Sequence, residues 1–154
     1  MNYLDPNFAT ALHFNIRTQT DVAERYVRKS PLPFIFSELA ELECRRAFIS
    51  RTQKADSENW MRLQSLLAEG IWQRESLPVK TVFQKAAGII DQYGSKIRSG
   101  TLDTLHVAHA LISGCTWFLS FDSQSNARVL ATVCRLRVFP ELSAEEKRRV
   151  SRSH

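Results

Sequence analysis

Short apolar runs, separated by longer segments in which apolar residues recur every three or four positions, constrain the fold of this chain most strongly. The runs Phe34–Phe36 and Trp117–Phe121 have the length and composition of buried strands. Asn2–Asp5 and Leu136–Phe139 have the same character, and 71–77 is a weaker strand candidate. Because strands and helical segments alternate, the sequence predicts an α/β protein, a three-layer α/β/α sandwich around a mostly parallel central sheet.

Helical spacing fills the segments between these runs. It predicts helices over residues 7–16, 21–27, 38–48, 57–70, 79–93, 102–112 and 127–133. The 154 residues suit one domain, which we place at 1–140, and residues 141–154 form a charged C-terminal tail.

The composition narrows the classes of function. A net charge of +5 favours a polyanionic partner without proving one. No apolar run approaches the roughly 18 residues that span a bilayer, and the start lacks the features of a signal peptide, so we expect a cytoplasmic protein that does not contact membranes. No Gly-rich phosphate loop occurs, which argues against an ATPase or a dinucleotide-dependent enzyme.

Four acidic residues follow or interrupt apolar stretches of this basic chain. They are Asp5, Glu43, Asp103 and Asp122. Asp5 and Asp122 come at the exits of predicted strands, where parallel sheets form their sites. Taken singly, each acid is explained as a turn residue, a helix cap or a solvated side chain. Taken together, they predict a negative cavity that a divalent cation would neutralise.

Four motifs occur in a characteristic order. Tyr-Leu-Asp at 3–5 is followed by Glu-Cys-Arg-Arg-Ala-Phe at 43–48, Leu-Asp-Thr-Leu-His-Val-Ala at 102–108 and Phe-Leu-Ser-Phe-Asp at 118–122. This arrangement resembles the PIN-domain nucleases, especially the toxin ribonucleases of bacterial toxin–antitoxin pairs (the VapC type). The resemblance extends from Asn2 to about Pro140, and residues 102–122 are its most specific part.

The resemblance implies a metal-dependent endoribonuclease. The four acids would be its catalytic residues and its ligands to Mg²⁺ or Mn²⁺, and a water molecule would cleave RNA to leave a 5′-phosphate and a 3′-hydroxyl. The implied partners are an RNA substrate, a cognate antitoxin and a second copy of the chain. The apolar helices of residues 57–93 are the candidate dimer surface.

Five further residues are predicted to support this site. Asn7 and Ser120 occupy positions where the family carries polar side chains, and His106 lies one helical turn after Asp103. Arg98 and Arg46 are the basic residues predicted to bind the phosphates of RNA.

One departure from the family pattern keeps two alternatives open. Pro6 stands where the family often has Thr, and it lacks both a hydroxyl and an amide donor. The chain could therefore be a catalytically weakened PIN-fold module that binds RNA or protein. A PIN nuclease of RNA processing is the other alternative to a toxin.

Overall fold

The computed structural model describes residues 1–31 and 33–153. Its five strands are β1 (Asn2–Leu4), β2 (Phe34–Ser37), β3 (Trp72–Glu75), β4 (Trp117–Leu119) and β5 (Arg137–Phe139). They form one sheet in the order β3-β2-β1-β4-β5, and each neighbouring pair is parallel. The predicted parallel sheet is therefore confirmed, and the weak strand candidate is its edge strand β3.

The chain leaves β1 toward β2 and later returns to β4, on the other side of β1. The sheet order therefore reverses direction between β1 and β4. In doubly wound sheets, the connections diverge at such a point and open a crevice beyond the carboxyl ends of the strands.

The described chain has seven helices between its strands and an eighth after β5. They are α1 (Pro6–His13), α2 (Arg17–Lys29), α3 (Glu38–Thr52), α4 (Glu58–Ala68), α5 (Val79–Tyr93), α6 (Thr101–Ile112), α7 (Ala127–Val133) and α8 (Ala144–Arg152). The helix predicted over 7–16 ends early, at His13, and α2 begins before the predicted residue 21. The Thr20 hydroxyl accepts from the Ile16 amide and donates to the Phe14 carbonyl, both at 2.9 Å, which stabilises the intervening turn.

Alternate strand residues face opposite layers, as the pleat of a sheet requires. Tyr3 and Phe118 belong to one buried cluster, which also contains residues of α5, α6 and α7. Leu4 and Leu119, their neighbours in sequence, belong to a second cluster with residues of α1 to α4. The three-layer α/β/α arrangement is thus confirmed.

The predicted tail contains the ordered helix α8. Within it Glu146 is buried, and its Oε1 lies 3.0 Å from Nε of Arg128 on α7. Arg149 also donates a 2.9 Å hydrogen bond to the side chain of Asn126. The helix therefore packs against the rest of the chain, and the boundary between 1–140 and 141–154 stays a prediction.

None of the helices within residues 1–31 and 33–153 combines the length and apolarity needed to cross a bilayer.

Candidate active site

Asp5 begins the site at the carboxyl end of β1. Its amide donates to the Leu119 carbonyl at 3.1 Å, which extends the β1–β4 pairing by one residue. Asp5 is 4% exposed and stands immediately before α1, so its backbone carbonyl accepts the first helical hydrogen bonds. The strand pairing and the helix start together hold this residue at the crevice.

Asn7 joins the end of β1 to the end of β4. Its Oδ1 accepts from the Phe121 amide at 2.7 Å, and its Nδ2 donates to the Ser120 hydroxyl at 3.2 Å. Ser120 in turn accepts from the Asp122 amide at 3.1 Å. The structure thus places Asn7 and Ser120 in one network that shapes the loop carrying Asp122.

Pro6 fits this arrangement without strain. It occupies the first turn of α1, where a missing amide proton is tolerated because it would have no partner within the helix. The hydrogen bonds of Asn7 to Ser120 and Phe121 form beside it. The local bonding around Asp5 therefore does not require a threonine at position 6.

Asp103 lies in the first turn of α6. Its Oδ2 accepts from the Gly100 amide at 3.3 Å, which caps the helix. A side chain at Gly100 would place Cβ 3.0 Å from this same oxygen, so the glycine permits the close approach of the carboxylate.

Asp122 caps the loop that follows β4. Its Oδ1 accepts from the amides of Gln124 and Ser125, at 2.8 and 3.0 Å. These bonds form a compact turn and fix the carboxyl group at the edge of the crevice.

Glu43 comes from the second turn of α3. Ser37 immediately precedes this helix and caps it, because its hydroxyl accepts from the Ala40 amide at 3.0 Å. Oε2 of Glu43 makes a hydrogen bond with Nε2 of His106, a residue of α6 that is 2% exposed. His106 therefore lies beside Glu43, an acid on a different helix from Asp103.

All four acids line one cavity of about 360 Å³. Its remaining lining residues are Pro6, Asn7, Thr10, Ile16, Gln19, Arg46, Ala47, Arg51 and His106. Four separate segments of the chain thus contribute carboxyl groups to one depression at the carboxyl edge of the sheet.

The acids influence one another electrostatically. Burial raises the pKa of Asp5 to about 7, the charges of Asp103 and Glu43 raise it too, and His106 and Ser120 oppose the rise. Burial also raises the pKa of Asp103, and the charge of Asp122 adds to this effect. The carboxyl group of Asp5 therefore titrates near neutral pH, as expected where carboxyl groups are buried and crowded together.

The chemistry of this donor set fits a hard divalent cation. Carboxylate oxygens are the ligands that Mg²⁺ and Mn²⁺ prefer, and a cation would stabilise the charged form of Asp5 against burial and repulsion. In residues 1–31 and 33–153, no three His, Cys, Asp or Glu side chains form a ready-made metal cluster. The carboxyl groups would therefore have to close around an ion.

The two predicted RNA-binding residues lie in different places. Arg46 lines the acidic cavity. Arg98 lines a separate cavity, and its carbonyl accepts from the Asn126 side chain at 2.8 Å.

Arg51 and Tyr3, which both lie near the site, are not among the residues that the sequence predicted to form it. Arg51 lines the acidic cavity, and its position eight residues after Glu43 on α3 would have indicated the same helix face. Tyr3 contacts His106, and a tyrosine in a buried strand signals a hydroxyl that needs a partner.

Comparison with protein-family models and with curated proteins finds no match by sequence. Comparison with solved structures finds clear matches of fold. VapC20 of Mycobacterium tuberculosis, a toxin that cleaves the sarcin–ricin loop, superposes with a TM-score of 0.66 at 14% identity, covering 80% of this chain and 92% of that one.

Two further structures match over more of the chain. VapBC2 from Rickettsia felis, solved with a DNA fragment from its promoter, gives a TM-score of 0.64 at 13% identity, covering 90% of this chain and 97% of that one. FitAcB from Neisseria gonorrhoeae gives 0.64 at 15% identity, with 90% and 96% covered. The chain therefore has the fold of the VapC-type PIN-domain toxins.

Proposed function

We propose that this chain is a metal-dependent endoribonuclease and the toxin of a toxin–antitoxin pair. The observation that carries the proposal is the convergence of Asp5, Glu43, Asp103 and Asp122 on one cavity. The fold shared with VapC20, a toxin that cleaves the sarcin–ricin loop, supports RNA as the substrate.

The four acids would hold Mg²⁺ or Mn²⁺. When bound, the cation supplies a water of lowered pKa and neutralises charge on the phosphate. Asp5, whose pKa burial raises to about 7, would have to lose its remaining proton to become a ligand. Asp103 and Asp122 stay oriented by their backbone hydrogen bonds, which limits the rearrangement needed on binding.

Basic residues on α3 would bind the phosphates of the RNA. Arg46 and Arg51 line the acidic cavity, one and two turns beyond Glu43. Arg45, one residue before Arg46, is outside this lining, and its guanidinium carbon lies 5.1 Å from the centre of the Trp60 ring. The guanidinium carbon of Arg51 lies 5.5 Å from the centre of the Phe14 ring. The cavity wall thus presents two cations beside four acids, a combination suited to a polyanion that must approach a metal.

RNA cleavage tests the enzymatic part of this proposal. Wild-type protein with Mg²⁺ or Mn²⁺ should cleave RNA to products with 5′-phosphate and 3′-hydroxyl ends. Chelator and Asp103→Asn should each abolish cleavage. RNA cleavage that survives chelator, or that is unchanged in Asp103→Asn, would contradict it.

RNA binding by the inactive Asp103→Asn protein tests the basic wall separately. Removing a phosphate contact from a single strand lowers the slope of log affinity against log salt by about 0.7. Arg46→Ala and Arg51→Ala should each produce a change of this size, and Arg45→Ala should not. Equal effects of all three substitutions would point to diffuse charge instead of specific contacts.

A binding module without catalysis is the second candidate. The observation in its favour is that, among the described residues, no three potential ligands form a ready-made metal cluster. Such a protein would retain RNA binding sensitive to Arg46→Ala and Arg51→Ala, with no cleavage in either metal.

Two surfaces support the proposed protein partners. VapBC2 and FitAcB are the structures that suggest an antitoxin as a partner. The candidate docking surface for it is a partly apolar groove of about 320 Å³, lined by Leu12, His13, Glu24, Val27, Arg28, Arg62, Leu66, Ile71 and Trp72. Val79, Phe83 and Ile90 form an exposed apolar stripe on α5, which suits a second copy of the chain. A toxin of this kind would act on RNA in the cytoplasm.

Co-expression with the adjacent gene product tests the toxin assignment. We expect expression of the wild-type protein to arrest growth. Co-expression of the adjacent gene product should relieve the arrest, and Asp5→Ala should abolish it. Growth that is unaffected by the active nuclease would favour a role in RNA processing.

A further inference from the structure

A buried chain of hydrogen bonds leads from the sheet to Glu43. The Tyr3 hydroxyl lies 2.8 Å from Oγ of Ser37 and 2.8 Å from Nδ1 of His106. Nε2 of His106 then contacts Oε2 of Glu43. Tyr3 and Ser37 are fully buried, so these groups depend on one another for their hydrogen bonds.

The number of available protons fixes the direction in which these hydrogen bonds are donated. Ser37 already accepts from the Ala40 amide, so its own proton needs an acceptor, and the Tyr3 oxygen is the one available among the described residues. Tyr3 must then donate to Nδ1 of His106, which leaves the ring proton on Nε2, facing Glu43.

Donation in the opposite direction, from His106 through Tyr3 to Ser37, leaves more hydrogen-bonding groups without a partner. If Nδ1 of His106 donated to Tyr3, Tyr3 would donate to Ser37, and the Ser37 proton would have no acceptor in the described chain. A neutral His106 would also present a bare Nε2 to the carboxylate of Glu43, which is repulsive. The first direction leaves no donor or acceptor of these four described side chains buried and unpaired.

Packing holds the hydrogen-bonded side chains in place. The Tyr3 ring stacks on Phe118, with centroids 5.6 Å apart and planes 5° from parallel. The His106 ring meets the Tyr3 ring edge-on, at 5.9 Å. Burial also raises the pKa of Tyr3 well above its ordinary value, so its hydroxyl remains a donor at neutral pH.

We infer that Tyr3 is a positioning residue, which fixes the tautomer of His106 and thereby holds Glu43 at the acidic cavity. Glu43 keeps Oε2 on His106, and its Oε1 has no hydrogen-bond partner among the described residues. One carboxylate oxygen is thus anchored and the other is available to a cation. The importance for catalysis rests on the proposed nuclease function, but the direction of the hydrogen bonds does not.

The ring nitrogens of His106 test this inference by ¹⁵N NMR of metal-free protein in chelator. Wild type should give one tautomer, with the proton on Nε2 and Nδ1 unprotonated. Tyr3→Phe keeps the ring and removes the donor, so a second population with the proton on Nδ1 should appear. A wild-type ring protonated on Nδ1, or a spectrum that Tyr3→Phe leaves unchanged, would overturn the inference.

Mn²⁺ affinity provides the second readout. Tyr3→Phe should raise the Kd for Mn²⁺ about ten-fold, the effect of disturbing groups that orient metal ligands. The matched control is Tyr26→Phe, because the Tyr26 hydroxyl donates to the Asn2 side chain at 2.8 Å and does not contact His106. Equal affinity in both variants would contradict the positioning role. Wild type that binds no Mn²⁺ would count against the proposed function, and the ring-nitrogen spectrum would still decide the inference.

Discussion

At the scale of single residues, Asp5 determines how the ligand-free protein should respond to pH. Its pKa is raised from an ordinary 3.8 to about 7 in the folded state, so folding favours the protonated carboxyl. The resulting stabilisation is fully present below the unfolded pKa and is lost as pH rises through 7. At 1.36 kcal/mol per unit, the loss is about 4 kcal/mol.

Urea unfolding in chelator at pH 5 and pH 8 measures the part of this loss that falls between pH 5 and about 7, which is about 3 kcal/mol. The wild-type free energy of unfolding should be lower at pH 8, and Asp5→Asn should remove most of the difference. Asp91→Asn is the control, since Asp91 is exposed on α5. If Asp5→Asn kept the wild-type dependence on pH, the burial of Asp5 would not be its cause.

The substitution Gly100→Ala adds a single methyl group and tests whether the position of the Asp103 carboxylate matters for metal binding. Alanine would place Cβ 3.0 Å from Oδ2 of Asp103 and displace the carboxylate. We expect Gly100→Ala to weaken Mn²⁺ binding about ten-fold while the free energy of unfolding changes little.

Gly88 offers a matched substitution at a site with open space. It lies within α5, and a methyl group added there would meet no other side chain of the described residues within 4 Å. Alanine should therefore stabilise the helix by about 0.5–1 kcal/mol. Mn²⁺ affinity should be unchanged. Equal Mn²⁺ affinity in the Gly88→Ala and Gly100→Ala proteins would show that Asp103 adjusts freely.

At the scale of elements, α8 is expected to support the loop that carries Asp122. Arg128 pairs with Glu146 of α8 and donates to the Ser120 carbonyl, both at 3.0 Å. Removing Glu146 would leave a buried guanidinium without its counterion. Glu146→Ala should therefore lower the free energy of unfolding by about 3 kcal/mol.

The exposed pair on the same helix is the control. Glu145 contacts Arg149 one turn later, in a position open to solvent, so Glu145→Gln should have no measurable effect on urea unfolding. If Glu146→Ala also left the free energy of unfolding unchanged, residues 141–154 would be a dispensable tail.

The elements could be predicted to the extent that they are periodic. The buried run Phe34–Phe36 and the helix at 102–112 were predicted nearly in full, because their apolar residues follow one period. The turn at 14–16 was missed because it depends on the Thr20 hydroxyl, a local bond that competes with helix continuation. The edge strand β3 carries polar Gln73 and Arg74, which weakened its signal.

At the scale of the whole molecule, parallel topology explains why distant acids could be placed together. Strands that run in one direction bring their carboxyl ends to one edge, so Asp5 and Asp122 had to be neighbours once β1 and β4 paired. The prediction of Glu43 and Asp103 drew on the family resemblance. Arg98 is close to Asp103 in sequence but lines a different cavity, whereas Arg51 lines the acidic cavity from the helix that carries Glu43.

The central claim is that four separate segments share one cation, and iron-directed cleavage of the polypeptide tests it most directly. Fe²⁺ bound in place of Mg²⁺, with ascorbate and peroxide, generates radicals that cut the backbone near the ion. We predict cuts close to residues 5, 43, 103 and 122, suppressed by excess Mg²⁺ and lost in Asp103→Asn. Cuts at other positions, or cuts that Mg²⁺ does not suppress, would contradict the account.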